Sequence, residues 1–418
     1  MVNCMALPEL MGDADFSHAP QPARSALQAA EDTLHRLAAA LEDVFLVYNV
    51  EYLDQPTRSG TAAHAIVFQG KLLADSEPTY PLLLKRYKDL GYTPLLRRKH
   101  GIDMVVLMEG ILQPRRINSP RWLHLLLLLL TIITATISGA QFQGAVLNMR
   151  AIQRGNLVSV GDVVQAGAPF ALTLLFILGV HEMGHYFAAR RHRVDVTLPY
   201  FIPFPFFLLG TLGAVIFIKS PLNNRKALFD VGISGPLAGF VVALIAYIIG
   251  LFLPPAGANN LLLLGIGNER IGMPILLQGL GDVLRPDLLQ AYGGRNISSL
   301  AVFVARQPIA FAAWFGMLLT VLNLLPIGQL DGGHVMYTLF GEAAWTIALA
   351  TFAVMIFLGL TIFPSLLFFA FLAFLTGLRH PPPGDDITPL DNRRKLIGYA
   401  TIVLFFLIGT VTPFTFGR

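Results

Sequence analysis

The run HEMGH, His181 to His185, sets two imidazoles four residues apart with a carboxylate, Glu182, beside the first. On a helix, positions i and i+4 share one face, with about 5–6 Å between β-carbons. Two ring nitrogens at that spacing can grip one metal ion, and Glu182 stands to the side, placed to take a proton from a water there. A hydrolytic zinc centre needs three protein ligands and one open position. The third ligand should be an oxygen or nitrogen brought to the same depth by another element. Asp331, in NLLPIGQLDGGH just after a downstream apolar run, is the foremost candidate. His334, three residues on, competes for that place or stands behind it. Pro326, Gly328, Gly332 and Gly333 can break a helix there and let backbone approach the metal closely. Asn323, about two turns before Asp331, has two readings. It can donate to a developing oxyanion or to substrate backbone, or it can bond one helix to another. His192 follows a basic run and reads as an interfacial side chain.

The surroundings of HEMGH sharpen its meaning. The stretch 170–189 is otherwise apolar, and three ionisable residues within five positions of a membrane span are costly and functional by default. The whole chain shares this character. Of its 418 residues 54% are hydrophobic and 13% charged, against about 25% charged in ordinary soluble domains; the mean hydropathy is +0.61. Apolar runs near or above the roughly 18 residues of a membrane span all fall after residue 120. They cover 122–140, 170–189, 229–253, 309–327, two runs within 343–378 turned near Phe363 and Pro364, and 396–413. The stretch 198–218 is apolar but dense in Pro, Phe and Gly, a poor continuous helix. It reads as a re-entrant hairpin, tolerable at that depth only inside protein or beside a wet cavity. Residues 254–307 read as a long mixed loop and 378–395 as a polar linker.

Ahead of the spans, residues 1–22 are rich in Pro and Ala and read as disordered. Residues 23–115 follow the order α-β-β-α-β-β. Helical spacing covers 25–44 and strands cover 44–53 and 65–73. A second helix, 80–91, stops at Gly91, and a hairpin, 92–99 with 102–110, closes across His100 and Gly101. No cluster with ligand or triad spacing occurs in this region, so a regulatory or docking role is expected of it. The expected architecture is a polytopic α-helical membrane protein, about seven spans plus a re-entrant hairpin, with a small N-terminal cytoplasmic α+β domain. The membrane-embedded metalloprotease domain is expected over 116–418. Basic clusters at 115–121, 190–193, 219–226 and 379–395 fall on one side of that arrangement, which places the N-terminus in the cytoplasm.

A net charge of +4 argues against a nucleic-acid partner, and the single cysteine, Cys4, rules out an intrachain disulfide or a thiolate cage. The first residues resemble neither a secretory nor a transit peptide. The expectation is a whole mature chain in a prokaryotic plasma membrane, as a multi-pass protein in contact with the lipid bilayer.

These motifs together resemble a known family. HExxH within a span, followed far downstream by N-x-x-P and LDGG, is the motif pair of site-2 proteases. Those are intramembrane zinc metallopeptidases that cut membrane-embedded substrates. The pattern maps onto His181, Glu182, His185, Asn323, Pro326, Leu330, Asp331, Gly332 and Gly333. In the Gly-rich stretch 211–239 the likeness rests on Gly213, Gly232, Gly235, Pro236 and Gly239. LPIGQLDGG, the FQGKL strand near residue 70 and the late HPPP and PLDNRRK segments look most like one branch. It comprises cyanobacterial and archaeal homologues and the plastid proteases named for gravitropism-deficient, yellow-green plants. The resemblance spans about 60–415 and is most specific over 180–240 and 310–335. Gly328 stands where most of the family has proline, and no PDZ or CBS sequence is present. The resemblance implies one zinc ion per chain, held by His181, His185 and Asp331, with Glu182 as the proton carrier. It implies a membrane-protein substrate with a transmembrane helix, cut in regulated intramembrane proteolysis.

Two other readings use the same residues. An ion or metal transporter could pass its cargo through a His/Glu/Asp site, but the motif has no internal repeat of the kind many transporters show. An inactive client-binding relative would have lost part of the site, whereas all four key residues are present.

Overall fold

The computed structural model describes residues 21–56, 62–111, 119–143, 159–205, 209–255, 270–288, 299–362, 364–410 and 414–415. The N-terminal tail expected to lack structure lies outside them, except for its last two residues, which open the first helix. Arg115, Arg116 and Phe363 also lie outside.

The chain divides into two compact units. In the first, α1 (Gln21–Ala39), β1 (Phe45–Pro56), β2 (Ala62–Leu72), α2 (Ser76–Asp89), β3 (Tyr92–Lys99) and β4 (Ile102–Glu109) follow the expected order. The sheet is antiparallel throughout, in the order β1-β2-β4-β3. Apolar residues recur at period two on β4 and bury Val105 and Leu107 against Leu37, Leu83 and Tyr87 of the two helices. His100 and Gly101 both take positive φ, 51° and 83°, the two-residue turn whose twist suits a hairpin. Arg86 of α2 forks onto Asp43 at 2.5 and 2.7 Å, and Tyr87 donates to the Leu37 carbonyl at 2.7 Å.

Two short segments distant in sequence, 221–226 and 382–390, complete this unit. The second runs along β3: Leu96 donates to the Gly384 carbonyl at 2.9 Å and Asp386 donates to the Leu96 carbonyl at 3.1 Å. Asp385 is fully buried. Its carboxylate accepts from the Ile387 and Thr388 amides at 2.9 and 3.1 Å and from the Thr388 hydroxyl. Much of the polar linker is thus an ordered piece of this unit. A segment without periodic side chains can still be fixed by main-chain pairing at a sheet edge.

The second unit is helical. It contains α3 (Arg121–Phe142), α4 (Val160–Arg191), the hairpin of β5 (Tyr200–Pro203) and β6 (Thr211–Val215), and α5 (Arg225–Phe252), whose first two residues belong to the other unit. Next come α6 (Ile275–Leu284), α7 (Ser299–Arg306), α8 (Pro308–Asn323), α9 (Asp331–Phe340), α10 (Ala344–Thr361), α11 (Ser365–Thr376) and α12 (Asn392–Ile408). Ser159 and Asp162 form a reciprocal capping box at the start of α4. Gly139 and Gly167 let α3 and α4 touch backbone to backbone, the close approach that small residues allow between membrane helices. Phe142, Phe170, Phe311 and Phe315 form an aromatic cluster joining α3, α4 and α8.

Among the described residues, α3, α4, α5 and the continuous stretch Asp331–Thr361 are long and apolar enough to cross a membrane; α7 and α8, bent by 102°, make a fifth if taken as one span. Three details depart from the expected layout. The mixed loop 254–307 contains α6 and α7, and the buried Tyr247 of α5 ties itself to α6 through the Leu277 carbonyl at 2.9 Å. The span expected to reach residue 327 ends at Asn323, because Pro326 cannot donate and Gly328 takes φ 51°. Finally, α11 has 12 residues, about 18 Å of helix, well short of a roughly 30 Å hydrocarbon core.

Candidate metal centre

His181, Glu182 and His185 lie on the buried face of α4, at 5%, 7% and 7% exposure. The turn after α8 brings Asp331 to them as the first residue of α9, where a carboxylate is favoured by the helix dipole. The result is a tight group of donors. His181 Nε2 and His185 Nε2 are 3.1 Å apart, and Asp331 Oδ2 lies 3.4 Å from the first and 3.3 Å from the second. Zinc bonds of about 2.0–2.1 Å at tetrahedral angles put their donors roughly 3.3–3.4 Å apart. The residues fit that ion.

The protonation pattern agrees. His185 Nδ1 faces the Val231 carbonyl of α5 at 2.6 Å. A carbonyl only accepts, so Nδ1 carries the proton, and in the neutral ring Nε2 is then the atom that offers a lone pair to a metal. Nε2 faces another ring nitrogen and a carboxylate, a set of donor atoms that a shared cation would hold together. A main-chain carbonyl fixing the tautomer of a ligand histidine is a common feature of metal centres.

The glycines of α5 make the close packing possible. A Cβ at Gly235 would run into the His185 ring, one at Gly239 would sit 3.1 Å from His181 Cβ, and one at Gly232 would sit 2.7 Å from His334 Cβ. Gly332 and Gly333 lie against the carbonyls of Leu324 and Gly328, which seats the start of α9 in the turn before it. Gly213, in β6, takes φ 103° and has open space where a side chain would be.

The Ile216 amide, one residue beyond β6, faces the Glu182 carboxylate. The end of the hairpin thus lies beside the carboxylate. Asn323 Nδ2 lies 3.3 Å from His181 Nε2, at the edge of the centre. An apolar cavity of about 1260 Å³ opens alongside, lined by Thr211, Leu212 and Gly213 of β6 and by Leu324, Pro326 and Gly332 beside Asp331, among others.

Of the residues singled out from the sequence, His181, His185 and Asp331 form a group that could hold a metal ion, the one such group found among the described residues. His334 points elsewhere: its Nδ1 meets His380 Nε2 at 2.5 Å, and His380 stacks on Tyr337. His192 bonds Asp230 through Nε2 at 2.8 Å. Reasoning from side-chain motifs missed the Val231 carbonyl and the Ile216 amide, which are main-chain groups without a residue signature. It also passed over Asp230, although a lone acid near the head of an apolar run is itself a signal.

Residues 169–364, which include every member of this centre, match Peptidase family M50. That segment is thus similar to the site-2 protease class, and the group of His181, His185 and Asp331 that could hold a metal ion lies inside it. The chain's relatives lie in the plastid branch. The chain is 30% identical over 275 residues to the probable zinc metalloprotease EGY2, chloroplastic, of Arabidopsis thaliana, covering 64% of this chain and 46% of the relative. It is 34% identical over 252 residues to EGY1 of the same plant, covering 58% and 42%. With EGY1 of Oryza sativa subsp. japonica it shares 36% identity over 187 residues, 43% of this chain and 29% of the relative. The matches thus span about half or less of the relatives' length. No solved structure matches the chain.

Proposed function

We propose that this protein is an intramembrane zinc metalloprotease that hydrolyses peptide bonds in or near the transmembrane segments of other membrane proteins. The observation that carries the reading is the meeting of His181, His185 and Asp331 at tetrahedral spacing, with Glu182 next to them and an apolar cavity alongside.

A bound zinc ion would supply Lewis acidity, making water a nucleophile near neutral pH and polarising the scissile carbonyl. The remaining work belongs to the chain. Glu182 takes one proton from the attacking water as its oxygen bonds to the carbonyl carbon, then passes that proton to the departing amine nitrogen as the C–N bond breaks. The Ile216 amide keeps the Glu182 carboxylate facing the reacting water. Asn323 donates from Nδ2 to the oxygen on which charge develops, or to the neighbouring backbone.

A helix has no free backbone groups, so a substrate must unwind before attack. The β5–β6 hairpin would receive the opened segment as an added strand, its side chains entering the apolar cavity. Gly213→Val forces a β-branched residue into φ 103°, a strain of about 1–3 kcal/mol. Cleavage should slow by about 10-fold or more with zinc content unchanged; unaltered cleavage would count against strand addition. Gly210→Val is a harsher version, since its Cβ would also collide with the Thr134 carbonyl of α3.

The membrane arrangement follows the same reading. Seven crossings would be made by α3, α4, α5, the bent α7–α8 pair, α9 with α10, α11 and α12, the short α11 crossing where the bilayer is locally thinned, and the hairpin would dip between α4 and α5. Basic residues at the ends of α3, α4 and α12 support a cytoplasmic N-terminus, and with it a cytoplasmic regulatory domain over 23–115, in a plasma membrane.

The test is cleavage of a single-span membrane substrate by the detergent-purified chain. Stripping with a chelator should abolish cleavage, and about one equivalent of zinc should restore it. Cleavage that survives complete removal of zinc would refute the assignment.

A further inference from the structure

In the helical unit, three helices meet on one carboxylate. Arg394, in the first turn of α12, forks onto Asp230 of α5: Nε reaches Oδ1 at 2.7 Å and Nη2 reaches Oδ2 at 2.6 Å. His192, at the end of α4, adds Nε2 to Oδ2 at 2.8 Å. Asp391 caps α12 by accepting from the Arg394 amide at 3.0 Å and also takes the guanidinium Nη1. None of these groups is a donor of the metal centre, and the proposed chemistry leaves them without a task.

Their neighbour in sequence does have one. Val231, the residue after Asp230, presents the carbonyl that holds His185 Nδ1 at 2.6 Å; the Ser234 hydroxyl donates to the same oxygen at 3.0 Å. The stretch of α5 that carries this carbonyl is intrinsically soft. Pro236 removes the helical bond to the Gly232 carbonyl, and Gly232, Gly235 and Gly239 add backbone freedom. Gly235 cannot be exchanged for a stiffer residue without displacing the His185 ring, and Gly232 and Gly239 pack closely on His334 and His181. A soft helix that must hold one carbonyl to within a few tenths of an ångström needs an anchor outside itself. A forked arginine–carboxylate pair has the required geometry, since two parallel bonds fix orientation as well as distance.

We infer that the Arg394–Asp230 pair, with His192, is a positioning device that locks the Val231 carbonyl onto His185 and thereby sets how firmly the zinc is held. The inference rests on the metal site proposed above. It ties three helices to one ligand: α4 bears the histidine, α5 the carbonyl that orients it, and α12 the arginine that holds α5 in place. Loosening the pair should leave the three donors present while the His185 ring swings more freely.

The test measures zinc release from the purified, zinc-loaded full chain into excess chelator, for wild type, Arg394→Gln, Asp230→Asn and the double variant. Loss of partners behind metal ligands typically costs about 10–100-fold in metal affinity, so each single variant should release zinc at least about 10-fold faster. The double variant should be no worse than the worse single one, because both remove the same device. Cobalt-substituted protein adds a spectroscopic reading: the visible bands should shift in the variants as the His185 nitrogen changes its approach. A pair with a merely structural role would lower the melting temperature while leaving the cobalt bands and the release rate as in wild type, and that result would overturn the inference. Should Arg394→Gln not yield a monodisperse protein, Arg394→Lys, which keeps the charge but loses the fork, and His192→Gln carry the same comparison. Wild type that holds no zinc would sink the metal site itself. Wild type that holds zinc as tightly as its variants would sink the positioning role alone.

Discussion

Glu182→Gln should keep about one zinc per chain and cut a single-span substrate roughly 100- to 10,000-fold more slowly than wild type, the range lost with a general acid–base group. The reason lies in what the substitution spares. Glutamine is isosteric, and its amide oxygen can still accept from the Ile216 amide. It is not among the three grouped donors. What disappears is the ability to take a proton from water and return it to the leaving nitrogen. Zinc content by elemental analysis and cleavage by gel assay on the same preparation check both halves. Loss of zinc in this variant would mean that Glu182 belongs to the ligand set and that the division of roles is wrong.

Gly235→Ala should lose zinc although it adds a single methyl group to a helix. The new Cβ would overlap the His185 ring at Nε2, the donor atom itself, with Cε1 at 2.6 Å. Retreat from α5 would break the bond of Nδ1 to the Val231 carbonyl, one turn before Gly235 on the same helix, at 2.6 Å. The ring must therefore rotate out of the donor group, and one of three ligands goes with it. A fall in zinc affinity on the order of 100-fold or more is expected. Helix propensity works the other way, since alanine favours a helix interior over glycine by about 1 kcal/mol. The folded helix should thus survive while the metal is lost. Gly239→Ala is the graded control: its Cβ would lie 3.1 Å from His181 Cβ, a contact that a small adjustment relieves. Zinc titration of the two variants by competition with an indicator should rank wild type above Gly239→Ala and Gly239→Ala above Gly235→Ala. Equal affinities would show that α5 can move away from the rings, and would weaken the account of its packing.

The centre was legible where side-chain spacing carries the information. His181 and His185 lie one helical turn apart in an apolar run, so their shared face follows from helix geometry alone. Asp331 could be picked out by its place after an apolar run with Pro326 and Gly328 ahead of it. Its position as the first residue of a new helix needed the three-dimensional turn. The hairpin at 200–215 was legible because Pro, Phe and Gly make a poor helix there, and the β3–β4 turn because His100 and Gly101 tolerate positive φ.

What stayed hidden is mostly main-chain. The bonds between Leu96 and Gly384 or Asp386 join residues almost three hundred positions apart, and no side-chain pattern announces them. The Val231 carbonyl and the Ile216 amide orient the two groups nearest the chemistry, yet any residue could supply either. Asp230 was visible as an acid in an apolar run, but its partner Arg394 lay in a segment read as a polar linker. The helices within 254–307 were obscured by the Gly- and Pro-rich flanks that made the whole stretch look like loop.

The most direct measurement is the zinc content of the purified wild-type chain, counted per polypeptide beside His185→Ala prepared in the same way. The account predicts about one zinc in wild type and almost none in the variant, since two remaining donors do not make a stable site. A wild-type chain that binds no zinc, or a variant that holds as much as wild type, would contradict it.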